Sequence, residues 1–296
     1  MKKAFITGIS GFVGPYLKKE LENRGYKVFG TDISEGDIRD KKFVFNKIKE
    51  VNPDEIYHLA GFSSVGMSFK EPEKTFEINV EGTRNLLSAC KKHAPASKIL
   101  IVSSAEVYGK ASIIPISESE PLKEGSPYSK SRIAQENLIK EFPELFIVIS
   151  RSFNHTGPGQ PLYFVLSDFC MQVAEIEKGT CKPRLFTGDL SVVRDFSDVR
   201  DVVKAYNVLL IKGIDKEAYN VGSGKGYSLK ELLDKILSFT SKKIEIRKDP
   251  NKMRPIDIPE LVADVSKIKK LGWYPAYSID KTLEDLLNYW RNKPKL

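Results

Sequence analysis

Cysteine and histidine are scarce in this chain, with three of each among 296 residues. Cys90, Cys170 and Cys181 form no CxxC pair and the histidines add no ligand cluster, so no structural or catalytic metal is expected. Long hydrophobic runs are missing as well. Those present, such as ILIV between Lys98 and Ser103, are strand-sized, whereas a bilayer-spanning helix needs about 20 apolar residues. MKKAFITG begins with two lysines, but its apolar stretch of about five residues runs into glycines, short of a secretory h-region of about 7–15. It reads as the first strand of a cytoplasmic protein with no membrane partner. The net charge of +8 comes without a basic block interleaved with aromatics. Lysines recur as pairs (Lys18/Lys19, Lys91/Lys92, Lys242/Lys243, Lys269/Lys270), the pattern of a solvated surface, and no nucleic-acid partner is expected.

What the sequence does contain is alternation. KAFITG, KVFGTD, DEIYHLAG, SKILIVSS and LFIVISRS are β-branched runs, separated by helical stretches from Val13 to Arg24, Phe43 to Val51, Pro72 to Lys92 and Pro127 to Phe142. Such alternation, with right-handed crossovers, predicts an α/β fold with a doubly wound parallel sheet. After about residue 155 the order loosens around GPGQP. There follow a helix from Phe164 to Lys178, the strand RLFTG, a helix after RDFSD capped by Ser197 or Asp198, a helix from Ser228 to Phe239, the strand KKIEIRK and a last helix from Ile279 to Arg291. The expectation is a smaller C-terminal α/β domain interleaved with the first: residues 1–153 plus about 194–224 in one, about 154–193 plus 225–296 in the other.

Between the first strand and the first helix lies TGISGFVG, residues 7–14. Its glycines are spaced GxxGxxG, one residue longer than GxGxxG. Glycines at this turn let the backbone approach a pyrophosphate, and the helix N-terminus offers unpaired N–H groups with partial positive charge. Alone the triplet is weak, but its place between strand and helix marks a dinucleotide site, with Gly8, Gly11, Phe12, Val13 and Gly14 as candidate contacts. Asp32, ending the second strand, is suited to accept ribose hydroxyls and to repel a 2′-phosphate. No arginine immediately follows, so NAD(H) is favoured and NADP(H) comes second. Asp37 and Ile38 follow so closely that no normal strand fits between them and Asp32.

TGISGFVG, HLAG (58–61), NVEGT (79–83), SSAEVYG (103–109) and SPYSKSR (126–132) stand in that order. Together they resemble the extended short-chain dehydrogenase/reductases of the NAD-dependent epimerase/dehydratase family, whose Rossmann domain is followed by a nucleotide-sugar domain. RSFNHTGPGQ (151–160), VRDFSDVRD (193–201), YNVGSG (219–224) and RPIDIP (254–259) are most similar to GDP-4-keto-6-deoxy-D-mannose reductases. GDP-mannose 4,6-dehydratases usually continue the asparagine-histidine pair with proline and two arginines. Here the run is Gly157-Pro158-Gly159-Gln160, which favours the reductase.

The resemblance implies a catalytic Tyr128 that protonates the sugar alkoxide and a Ser104 that orients the same oxygen. It implies Leu59, Ala60 and Gly61, with Asp37, Ile38, Tyr128 and Arg132, at the cofactor, and Asn154, Arg194, Arg254 and Asp257 on a GDP-sugar. Glu106 stands where dehydratases carry a proton-shuttling glutamate, which keeps elimination open, and His155 reads as structural. A homodimer through the Pro72 to Lys92 and Pro127 to Phe142 helices is also implied.

The one departure is the residue four on from Tyr128, usually lysine and here Arg132; Lys130 is two on and faces away. A guanidinium on Tyr128's helical face still favours the phenolate electrostatically, though its fork is bulkier than an ammonium. Three readings stand at this point. The first is reduction of a C4 ketone, the second a GDP-mannose 4,6-dehydratase or another epimerase/dehydratase, and the third a non-catalytic dinucleotide-binding protein.

Overall fold

A computed structural model describes residues 1–253 and 258–294. The first half runs β1 (Lys3–Thr7), α1 (Gly14–Asn23), β2 (Lys27–Thr31), α2 (Lys41–Val51), β3 (Glu55–His58), α3 (Val65–Ser68), α4 (Pro72–Phe76), α5 (Gly82–His93), β4 (Lys98–Ser104), α6 (Pro127–Leu138) and β5 (Phe146–Ser152). Then come β6 (Asn154–Thr156), α7 (Val165–Glu177), β7 (Arg184–Thr187), β8 (Val193–Asp198), α8 (Val199–Lys212), β9 (Ala218–Val221), β10 (Gly226–Ser228), α9 (Leu229–Ser238), β11 (Glu245–Lys248), β12 (Glu260–Leu261), α10 (Ser266–Lys269) and α11 (Ile279–Asn292).

Six strands form one parallel sheet in the order β2-β1-β3-β4-β5-β9. Strand alternation builds its two faces. Ala4, Ile6, Tyr57, Leu100 and Val148 pack under α1 and α8, while Phe5, Ile56, Ile99, Ile101 and Ile147 pack under α2 and α5. Near-continuous apolar runs are what a sheet covered on both faces requires. The chain reverses its winding between β1 and β3, and the carboxyl ends of those strands open the crevice where doubly wound sheets bind ligands.

The second unit has its own core, in which α7, α9 and α11 pack against β7 and β8. Its sheet runs β10-β8-β12, with β6 also paired to β8. Here the structure departs from the expected boundary near residue 194. β8 lies in this second sheet; the chain after it, α8 and β9, returns to the first unit, and Ala263, Val265, Ile268 and Trp273 pack in that unit's core as well. Asp198 marks the crossing: its carboxylate caps α8 through the Arg200 N–H and accepts from Thr282 on α11.

The helix expected from Pro72 to Lys92 is interrupted by a π turn at Glu77–Glu81. The extra residue turns Asn79 inward. Its Oδ1 accepts from the Phe62 N–H at 2.7 Å, and its Nδ2 donates to the Phe62 carbonyl and to Ser131. The bulge thus ties the loop after β3 to α6, in keeping with the occurrence of π turns at functional sites.

Candidate functional site

A cavity of about 890 Å³ opens over the carboxyl ends of β1 to β5 and is closed on its far side by the segment from Phe153 to Leu166. That volume is at the upper end for small-molecule sites. Of the residues expected at cofactor, substrate or reacting centre, all that are described except Arg194 line the cavity. Arg254 and Asp257 lie outside the described residues.

The glycine loop is shaped for close approach. Gly8 has φ +75°, and a Cβ there would stand 3.0 Å from the Ala60 nitrogen. A Cβ on Gly14 would stand 2.2 Å from the Ile9 carbonyl oxygen, so the turn closes only with glycine. No side chain caps α1 at Val13, and Pro15 occupies its first turn. Gly11 to Gly14, at the start of this helix, line the cavity, which makes the helix N-terminus a cradle for a pyrophosphate. Together with the unpartnered, buried Nε of Arg132, these features fit a nicotinamide dinucleotide.

Asp32 directly follows β2, its Oδ1 accepting from the Ser34 N–H and hydroxyl at 2.9 and 2.6 Å. Hydrogen bonds from Ser10 and Ser34 lower its pKa, so a carboxylate lines this end of the crevice. Arg39 also lines this end, which the sequence motifs did not flag. Its guanidinium is held by Asp37 at 2.6 Å and by Glu77 at 2.8 Å.

Tyr128 and Arg132 share one face of α6, as the four-residue spacing requires. Ser126 caps this helix through the Ser129 N–H, and Pro127 follows in the first turn, which places Tyr128 at the start. The Arg132 guanidinium carbon lies 5.2 Å from the centre of the Tyr128 ring. Both residues are buried, at 6% and 5% exposure. Lys130 points outward, 3.5 Å from Glu124. Ser104 ends β4 and caps the short turn that carries Glu106, its Oγ accepting from the Glu106 N–H at 3.3 Å. A hydroxyl, a phenol, a carboxylate and a cation thus line one cavity.

Behind this wall His58 joins the glycine loop to the helical layer. Its Nδ1 lies 2.7 Å from Thr7 Oγ1 and its Nε2 lies 2.9 Å from Thr83 Oγ1. The Thr83 hydroxyl donates its proton to the Asn79 carbonyl at 2.6 Å, so Nε2 must be the donor to Thr83. Nδ1 then accepts from Thr7, whose oxygen takes the Ala60 N–H. Burial, and then the charge of Arg132, push His58 down to about 3. Between pH 3 and 6.5 the unfolded chain binds a proton that the folded protein refuses, so this contribution to stability is full above pH 6.5 and is lost as pH falls. The expected loss is up to about 1.4 kcal/mol per pH unit. His58→Gln should therefore flatten the fall of the urea midpoint between pH 7 and pH 5, although it lowers the midpoint at pH 7. An unchanged slope would show that His58 takes up its proton as readily folded as unfolded.

Asn154 lines the cavity from β6. Arg194, on β8, is 4% exposed and does not line it; its Nη1 donates to the Val193 carbonyl at 2.8 Å. His155 stacks on Phe12 with ring centroids 6.1 Å apart, and burial lowers its pKa. This pairing joins the second unit to the glycine loop. Arg184 pairs with Glu245 on the surface. Tyr163 and Phe164 also border the cavity, and no motif singled them out. Both tryptophans are packing residues, Trp273 donating to the Asp201 carbonyl and Trp290 to Ser167.

Known proteins place this geometry. The sequence model of the GDP-mannose 4,6 dehydratase family matches residues 31–286. A GDP-6-deoxy-D-mannose reductase of Pseudomonas aeruginosa is 32% identical, over 99% of this chain and 98% of that one. The structure of RMD from P. aeruginosa complexed with NADPH superposes with a TM-score of 0.89 at 32% identity, covering 98% of this chain and 99% of the other. A UDP-glucose 4-epimerase of Thermus thermophilus in complex with NAD gives a TM-score of 0.88 at 27% identity, with the same coverage. A glycine cradle at the switch point, a tyrosine and a cation on one helical face, and a family match over most of the chain agree: this protein belongs to the GDP-mannose 4,6 dehydratase family.

Proposed function

We propose that this protein reduces the C4 ketone of GDP-4-keto-6-deoxy-D-mannose to give a GDP-6-deoxyhexose. The observation that carries the reading is the placement of Tyr128, Ser104 and Arg132 on one cavity with the glycine cradle. A bound nicotinamide supplies the hydride. Tyr128 gives its phenolic proton to the oxygen that gains charge, and Ser104 hydrogen-bonds that oxygen. The nitrogens of Arg132 hold the nicotinamide ribose. The first unit carries the dinucleotide, Asn154 serves the GDP-sugar from the second, and Arg254 and Asp257 are assigned to the same substrate by their motif.

Asp32 favours NAD(H) because its carboxylate repels a 2′-phosphate, and Arg39, the nearby cation, is committed to Asp37 and Glu77. The test supplies the purified protein with GDP-4-keto-6-deoxy-D-mannose and either NADH or NADPH and follows loss of the reduced cofactor. Turnover is expected with both, at higher kcat/KM with NADH. A keto-sugar formed from GDP-mannose without added reductant overturns the assignment in favour of the dehydratase, the second reading, which Glu106 on the cavity wall supports.

The unpaired thiols of Cys90, Cys170 and Cys181 agree with a reducing, cytoplasmic setting. The α4–α5 helical stretch and α6 are the surfaces through which the chain pairs as a homodimer, a state that analytical ultracentrifugation reads directly.

A further inference from the structure

Arg132 presents only part of its guanidinium to the cavity, because the rest is clamped. Nη1 donates to the Val102 carbonyl at 3.1 Å and to Gln135 Oε1 at 2.9 Å. Nη2 lies on the Gly61 side, where a Cβ built on that glycine would stand 2.7 Å from it. Nε is buried and has no hydrogen-bond partner among the described residues. A guanidinium is a rigid plane of five donors, so holding Nη1 at two points fixes the direction in which Nε and Nη2 donate. A lysine ammonium, a point charge on a flexible stem, has no second nitrogen to be aimed this way.

Gln135 is suited to this task because it cannot turn. It is fully buried, one helical turn beyond Arg132 on α6, and its Nε2 donates to Thr83 Oγ1 at 2.7 Å. Thr83 has given its proton to the Asn79 carbonyl and also accepts from His58 Nε2. It therefore needs a donor from Gln135, which leaves Oε1 for Arg132. A flipped amide would set two donors against each other at Nη1 and two acceptors at Thr83.

We propose that Gln135 is the positioning residue for Arg132. The chain Thr7, His58, Thr83, Gln135 anchors Nη1 so that the remaining donors face the vicinal hydroxyls of the nicotinamide ribose, and it couples the aim of this cation to the glycine loop. The proposal rests on the reading of Arg132 as the ribose contact and of Tyr128 as proton donor. Other titratable groups around the pair are Tyr206 on α8, whose hydroxyl meets Ser152, neutral His58, Glu106 on the cavity wall, and Glu136, which is engaged by Arg151 and Ser103.

The experiment is a double-mutant cycle of Gln135→Leu and Arg132→Lys, read by NADH affinity from fluorescence titration without substrate and by how the loss divides between KM for NADH and kcat. With Arg132 in place, Gln135→Leu should weaken NADH about tenfold, the scale of one lost charge-assisted hydrogen bond. In turnover the loss should appear in KM for NADH more than in kcat. In the Arg132→Lys background the weakening should shrink to about twofold or less. Equal effects in the two backgrounds, or none in either, overturn the proposal. If Gln135→Leu does not fold, Gln135→Met decides, since it keeps the length and volume of the side chain without the amide: a tenfold loss of NADH affinity supports the anchor, and retained affinity overturns it. NADH binding reads the anchor whatever the substrate. Coupled affinities without keto-sugar turnover would therefore sink the proposed reaction and leave this inference standing.

Discussion

Tyr128→Phe is expected to lower kcat for keto-sugar reduction by about 10²- to 10⁴-fold, the range ascribed to a positioned general acid. The substitution removes one hydroxyl and little else. The ring stays buried at the start of α6, and the guanidinium of Arg132, 5.2 Å from its centre, keeps an aromatic face to lie against. NADH affinity, read by fluorescence titration, should therefore change by no more than a few-fold, which separates lost chemistry from a collapsed site. Turnover within tenfold of the wild type would remove Tyr128 from the role of donor. A large loss of NADH affinity alongside kcat would instead assign it to binding. A protein that bound NADH normally and reduced no keto-sugar before or after the substitution would revive the non-catalytic reading.

The second large effect concerns stability. Glu136→Ala should lower the free energy of unfolding by about 3–5 kcal/mol, because it strands a buried guanidinium. Glu136 and Arg151 are 5% and 10% exposed at their side chains and meet at 2.8 Å. Burial works against the Arg151 charge, yet its pKa is raised, because the Glu136 hydrogen bonds and charge outweigh the desolvation. Ser103 donates to the same carboxylate at 2.6 Å, and Arg151 reaches on to the Tyr108 hydroxyl and the Glu118 carbonyl. The pair fastens α6 to β4 and β5, the layer on which Tyr128 depends. Glu136→Gln keeps an acceptor and should cost less than the alanine change. Chemical unfolding of the three proteins at pH 7 measures this, and a loss under about 1 kcal/mol for Glu136→Ala would show that water or a rearranged partner serves Arg151.

These expectations divide according to what was legible beforehand. The glycine loop, Asp32 and the Tyr128–Arg132 spacing could be read directly, because each is a local pattern on one turn or one helix. Lys130 was assigned outward for the same reason, and Glu124 receives it there. β9 was not legible as the sixth strand. Four residues of AYNV become a strand only when the edge of β5 pairs with them, Ile149 opposite Ala218. Nor was the π turn at Glu77–Glu81, since the helical stretch before it, Pro72–Phe76, is too short for a change of phase to show in the apolar pattern. The assignment of β8 to the second sheet depended on β10 and β12, which are three and two residues long and carry little periodicity. Arg194 belongs to the same lesson: the motif around it was visible, but its place on a buried strand of that sheet, off the cavity wall, was not.

The sequence by itself determined that a cation stands on the same face as Tyr128, because a helix returns to that face every 3.6 residues whatever surrounds it. It likewise determined a crevice-forming parallel sheet, because covered strands need apolar side chains on both faces. Only the tertiary structure decided which nitrogens of that cation are clamped and which are offered. The partners of Arg132 are the Val102 carbonyl, thirty residues away on β4, and Gln135, whose own orientation is set by Thr83 and through it by His58. A hydrogen-bond network assigns its donors and acceptors only when every member is in place, and the packing of three layers brings these members together.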